Sequence, residues 1–183
     1  MTTMDIKSTF TVRRIVITGV LAAIAILLGV TRLGFIPVPN TTGSATIMHV
    51  PAIIGGVLEG PIVGLVIGGI FGIYSWLQDT TGLFKNPLIS VVPRLLIGVT
   101  AYFSYAAVKK TNEYLALIVA GVVGTLTNTI LVVGGLVGFG LIPAEVVPTI
   151  IPQAIAEIII AAVITVAVVA AWKRIETGRG SSV

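Results

Sequence analysis

Long apolar runs follow one another along this chain with short polar breaks between them, a rhythm that predicts membrane-crossing helices. Six such helices are expected, at about residues 14–31, 46–59, 62–77, 87–108, 114–138 and 146–172. The second and third are short and meet in the tight "LEGPIVG" turn, where Pro61 suits a first helical turn. A full crossing takes roughly 20 residues, so these two cross steeply, stop short or lie partly inside the protein. The breaks "RLGFIPVPNTTGSAT", "LQDTTGLFKN" and "GFGLIPAEVVP" are rich in Gly and Pro, and predict shaped loops rather than helix.

Composition strengthens this picture. Of 183 residues, 56% are hydrophobic and 10% charged, whereas an ordinary soluble domain is about a quarter charged. Residues 1–183 are therefore read as a single all-α integral membrane domain. The apolar run near the N-terminus has no clean small-x-small cleavage pattern and is read as a retained first span. Without cysteine, disulfide and thiol chemistry are excluded.

The net charge of +4 changes the picture through where it sits. Lys7, Arg13 and Arg14 precede the first helix, Lys109 and Lys110 separate the fourth and fifth, and Lys173, Arg174 and Arg179 follow the sixth. Basic residues accumulate on cytoplasmic loops, so both termini are expected in the cytoplasm and the three shaped loops outside. Nothing in this distribution suits a nucleic acid.

Five strongly polar residues fall inside the predicted spans: His49, Arg94, Asn128, Gln153 and Glu157. At about 1.5 Å per helical residue, all lie in the outer half of the bilayer, on helices running in opposite directions. Gln153 and Glu157 are four apart and share a face. Intramembrane ionisable groups are costly and usually face the bundle interior or a wet cavity. Two readings of Arg94 follow. Either it forms a structural ion pair with Glu157, or it offers a forked donor to the carboxylate or phosphate of a substrate. His49 is read as a satisfied interior histidine or as a ligand contact. Asn40, in the first outer loop, and Trp76, at the outer end of the third helix, complete the candidate set; Trp76 reads first as a membrane-interface residue and only second as a stacking one.

Small residues recur at helical spacing, as in Gly64-x-x-x-Gly68-x-x-x-Gly72, and let helices approach closely in lipid. There is no phosphate-binding G-x-x-x-x-G-K-[ST] loop, no H-E-x-x-H zinc site and no nucleophile-elbow serine. An enzyme is not expected, nor a cofactor or a metal.

The stretch "ATIMHVPAIIGGVLEGPIVGLVIGGIFGIYSWLQ" (45–78) followed by "FKNPLISVVPRLLIG" (84–98) resembles the central helices of S components of energy-coupling factor (ECF) vitamin transporters. The pantothenate-type branch is the most similar. The resemblance implies high-affinity capture of a micronutrient from outside, in the plasma membrane of a prokaryote. It also implies a membrane coupling subunit and two cytoplasmic ATPase subunits as partners. In that family the coupling subunit is met by an Ala-x-x-x-Ala motif on the first helix. The nearest match here is Gly19-x-x-x-Ala23, with Ala22 and Ala25 adjacent. Pantothenate, with its carboxylate, hydroxyls and amide, would suit Arg94, Asn128 and Gln153. Folate, riboflavin or a similar vitamin is the alternative, as is a self-sufficient transporter using Glu157 as proton carrier.

Overall fold

The computed structural model describes residues 11–37 and 44–180. Helix α1 (Val12–Val30) begins under a Thr11 cap, the hydroxyl accepting from the Arg14 amide. A short antiparallel hairpin follows, β1 (Phe35–Pro37) and β2 (Ser44–Thr46), in the register Phe35 to Thr46. Next come α2 (Val50–Glu59) and α3 (Pro61–Leu77), joined at Gly60, whose φ of 101° suits glycine. Helix α4 (Pro87–Ser90) and α5 (Val92–Val108) run on with one break, at Val91. Helix α6 (Glu113–Gly138) and α7 (Val147–Gly180), the latter entered through a 3₁₀ turn at Ala144–Val146, complete the bundle.

The protein is an all-α, multi-pass membrane protein. With α4 and α5 counted as one crossing there are six, four of them long and apolar enough to traverse a bilayer alone. Helices α2 and α3 are shorter. Lipid-facing surface is visible on α7, where Ile151, Ile155, Ile159 and Val163 form an exposed i, i+4 stripe. Buried side chains of α2, α3, α5, α6 and α7, among them Ile53, Ile67, Ile97, Leu117 and Val169, make the core.

Two predicted boundaries differ from the structure, each for a local reason. The helix expected from residue 46 starts at Val50, because residues 44–46 pair as a strand and Pro51 takes the first helical turn. The helix expected to end near 172 continues to Gly180, its last turns tied to the start of α1 by Arg13–Glu176 at 2.6 Å. The same end of the bundle holds Arg13–Glu59 at 2.8 Å and a Lys173–Glu113–Tyr105 cluster. We call it the basic end, and the opposite one the hairpin end.

What positions the interior is the contact of α3 with α5. The stripe Gly64, Gly68, Gly72 faces the α5 backbone so closely that a Cβ on Gly64 would sit 2.7 Å from the Gly98 Cα. A Cβ on Gly68 would collide with the Arg94 carbonyl oxygen. The two helices thus touch backbone to backbone, the arrangement small residues permit in lipid. Gly68→Val should force α5 away and cost about 1–3 kcal/mol, the usual range for overpacking. Thermal unfolding in detergent would register this as a lowered midpoint, whereas Gly134→Val, where a Cβ meets nothing within 4 Å, should leave it unchanged.

Candidate functional site

Six polar residues are fully or almost fully buried around the hairpin half of the bundle: His49, Ser90, Arg94, Thr125, Asn128 and Glu157. They come from five segments, and the local sequence explains how each is presented. Asn86 caps α4 by accepting from the Leu88 amide at 3.0 Å, with Pro87 at the first helical position. Pro93 then lacks the N–H that a continuing helix would give to the Ile89 carbonyl. The Arg94 guanidinium takes that carbonyl instead, Nη1 donating at 2.6 Å. Proline frees the acceptor and its neighbour claims it.

The rest of the guanidinium lies among aromatic rings. Its carbon stands 5.6 Å from the Phe71 centroid on α3 and 5.0 Å from that of Phe84 in the loop before α4. That loop is stapled by Asp79, which accepts from the Thr81 amide and hydroxyl (3.0 and 2.7 Å) and from the Phe84 amide (3.1 Å). Slight burial pushes the Asp79 carboxyl up, but these hydrogen bonds outweigh it and hold it below its ordinary value. Trp76 serves the same loop, its indole N–H donating to the Lys85 carbonyl at 3.0 Å while the ring stays partly exposed.

Of the two readings of Arg94, the ion pair is not formed. Among the described residues no carboxylate lies within 4 Å of Arg94. Glu157 is engaged elsewhere: its Oε1 accepts from the Gln153 amide at 2.9 Å and from the Thr46 backbone N–H at 2.8 Å. The i, i+4 spacing therefore does bring Gln153 and Glu157 together, but to hold the hairpin rather than to neutralise the arginine. Arg94 Nε is buried and unpartnered.

His49 ends the segment that the hairpin lowers into the bundle. Its Nε2 lies 2.9 Å from the Thr125 hydroxyl of α6. Thr125 sits about 20 Å along α6 from Gly138, at about 1.5 Å per residue, so α2 starts deep. Asn128 lies one turn from Thr125 on α6 and its Oδ1 is also buried without a partner. Asn40 lies outside the described residues.

Thr46, Thr125, Phe71 and Phe84 take part without having been singled out by sequence. A threonine or phenylalanine in an apolar run carries no signal of its own; only the folded contact gives it one. The residues of α1 divide by helical phase: Ala22 and Ala25 are buried within the fold, while Gly19 and Ala23 lie on its open face. Separately, an apolar groove of about 270 Å³ between α6 and α7 is lined by Thr129, Ile130, Val133 and Ile151 among others, and offers no charge to a ligand.

Glu157→Leu should strip the acceptor from Thr46 and loosen β2, whereas Glu157→Gln keeps an oxygen there. Hydrogen exchange of the Thr46 amide should accelerate about tenfold or more in the leucine variant and little in the glutamine one. Equal exchange in both would mean that the carboxylate does not hold the hairpin.

Comparison with known proteins adds three findings. The family model for the substrate-specific component of ECF transporters matches residues 13–169. The pantothenic acid transporter PanT of Lactococcus lactis subsp. cremoris (strain MG1363) is 31% identical over 107 residues, covering 48% of this chain and 53% of that one. The match thus spans about half the length of that relative. A solved structure described as "Structure and mechanism of the S component of a bacterial ECF transporter" superposes with a TM-score of 0.64 at 20% identity. It covers 90% of this chain and 96% of that one, a likeness of fold.

Proposed function

The chain belongs to the substrate-specific components of ECF transporters, and on that premise we propose that it captures pantothenate for uptake across the plasma membrane of a prokaryote. The observation that carries this is Arg94: a buried cation, oriented by the Ile89 carbonyl and two aromatic rings, with no carboxylate within 4 Å of it among the described residues. An unpaired buried charge is a strong demand for a counter-ion, and a substrate carboxylate meets it. The named relative transports a molecule of this kind. Asn128 and His49 supply further polar atoms, while Glu157 and Gln153 act by holding the hairpin over the site.

In this reading the hairpin end faces outward and both termini lie in the cytoplasm, since Arg13, Arg14, Lys109, Lys110, Lys173 and Arg174 gather at the basic end. The chain is a substrate-binding subunit, and the work of transport falls to a membrane coupling subunit with two ATPase subunits. Gly19 and Ala23 on the open face of α1 are the small residues available for that coupling contact.

Calorimetric titration of pantothenate into the detergent-purified protein should give one site per chain. Arg94→Gln should weaken it by roughly 10- to 100-fold, the value of a charge-assisted hydrogen bond, with the unfolding midpoint little changed. Undiminished binding by Arg94→Gln would remove Arg94 from the site. Native mass spectrometry of the gently released protein covers the alternative: a co-purified folate or riboflavin mass would replace the vitamin and keep the capture role.

The coupling surface has its own test. Gly19→Leu with Ala23→Leu should leave pantothenate binding at its wild-type value and abolish co-purification with the coupling subunit. Retained co-purification would place that contact elsewhere.

A further inference from the structure

Resting on the capture reading, we propose that His49 is a hydrogen-bond acceptor for the bound molecule, its tautomer fixed from behind by Thr125. The consequence is that the ligand must offer this histidine a hydrogen-bond donor, and we assign it one of the hydroxyls of pantothenate. The Thr125 hydroxyl has one hydrogen, and it is given to the Gly121 carbonyl at 2.8 Å, the back-bond of a threonine inside a helix. Toward His49 Nε2, 2.9 Å away, the same oxygen can then only accept. Nε2 therefore carries the proton.

No carboxylate bonds the ring among the described residues, so the buried imidazole is neutral. In a neutral imidazole with a protonated Nε2, the other nitrogen is a bare acceptor. His49 Nδ1 is indeed buried with no partner. A buried acceptor left without a donor is costly. Thr125 of α6 holds the ring through its other nitrogen, which leaves Nδ1 for the ligand.

Asn128 Oδ1 is a second bare acceptor one turn along the same helix, and Arg94 Nε–H a bare donor. The complement of this set is a small molecule with two hydrogen-bond donors and one anionic acceptor. Pantothenate carries hydroxyls and an amide N–H on one side and a carboxylate at the far end. His49 thus becomes a specificity-determining residue, selecting against a carboxylate that lacks the hydroxyl.

His49 is the single histidine of the chain, so untagged protein grown on nitrogen-15-labelled histidine gives a spectrum of this ring alone. The ligand-free spectrum should show a protonated Nε2 and a pyridine-like Nδ1. Pantothenate should move the Nδ1 signal and leave Nε2 protonated, while Thr125→Val should mix the tautomers. Calorimetry on the same samples should show that at least one of the two singly deoxygenated pantothenates binds about tenfold or more weakly than the parent.

A ring protonated on Nδ1 overturns the proposal. So does an Nδ1 signal that stays put while calorimetry shows pantothenate bound, the result expected if a resident water satisfied that nitrogen. Failure of pantothenate to bind at all overturns the capture reading and the ligand contact together, and the ligand-free spectrum still decides the tautomer.

Discussion

The backbone contact between α3 and α5 is the constraint on which the site depends. Glycine at 64, 68 and 72 lets α5 settle against α3 with no side chain between them, and Gly98 returns the same allowance from the other side. Arg94 is thereby held beside Phe71 of α3. Had either helix carried larger residues along this seam, the guanidinium would stand off the ring and face lipid or water. Dense packing in a hydrocarbon solvent, where burial of apolar surface gains little, is what fixes the charge in place. Pro93 then sets its direction by releasing the Ile89 carbonyl.

The short α2 has the complementary role. Ten residues reach only about 15 Å, half the hydrocarbon thickness. The remaining depth is filled by the β1–β2 hairpin and the turn leading to His49, whose backbone groups must be satisfied inside the membrane. Part of that requirement is met by Glu157, reaching Thr46 from α7. Non-helical backbone at such depth is tolerated where protein or a polar cavity surrounds it. The carboxylate that looked like a counter-ion is thus a structural acceptor, and the cation is left for something else.

How much of this was legible in the sequence follows from which interactions are periodic. The crossings, the glycine stripe and the Gln153–Glu157 pair all repeat at helical spacing, so the linear pattern exposes them. The hairpin strands are three residues each, too short to show alternation. The Asn86 cap belongs with the legible features, since Asn followed by Pro is a local helix-start signal. Partner choice does not: nothing in the chain order says whether Glu157 faces Arg94 or Thr46. The inward turn of Ala22 and Ala25 escaped for a similar reason, since α1 is apolar all round and its sequence carries no phase. Thr125 became visible only once His49 was beside it.

The arrangement also bears on what binding does to the protein itself. An isolated cation within hydrocarbon depth is among the costliest groups a membrane protein can keep. The aromatic rings, the Ile89 carbonyl and the surrounding fold hold Arg94 in place. In the proposed function a bound carboxylate cancels that charge and supplies hydrogen bonds that no described residue makes. On that reading, occupancy stabilises the hairpin end by mass action.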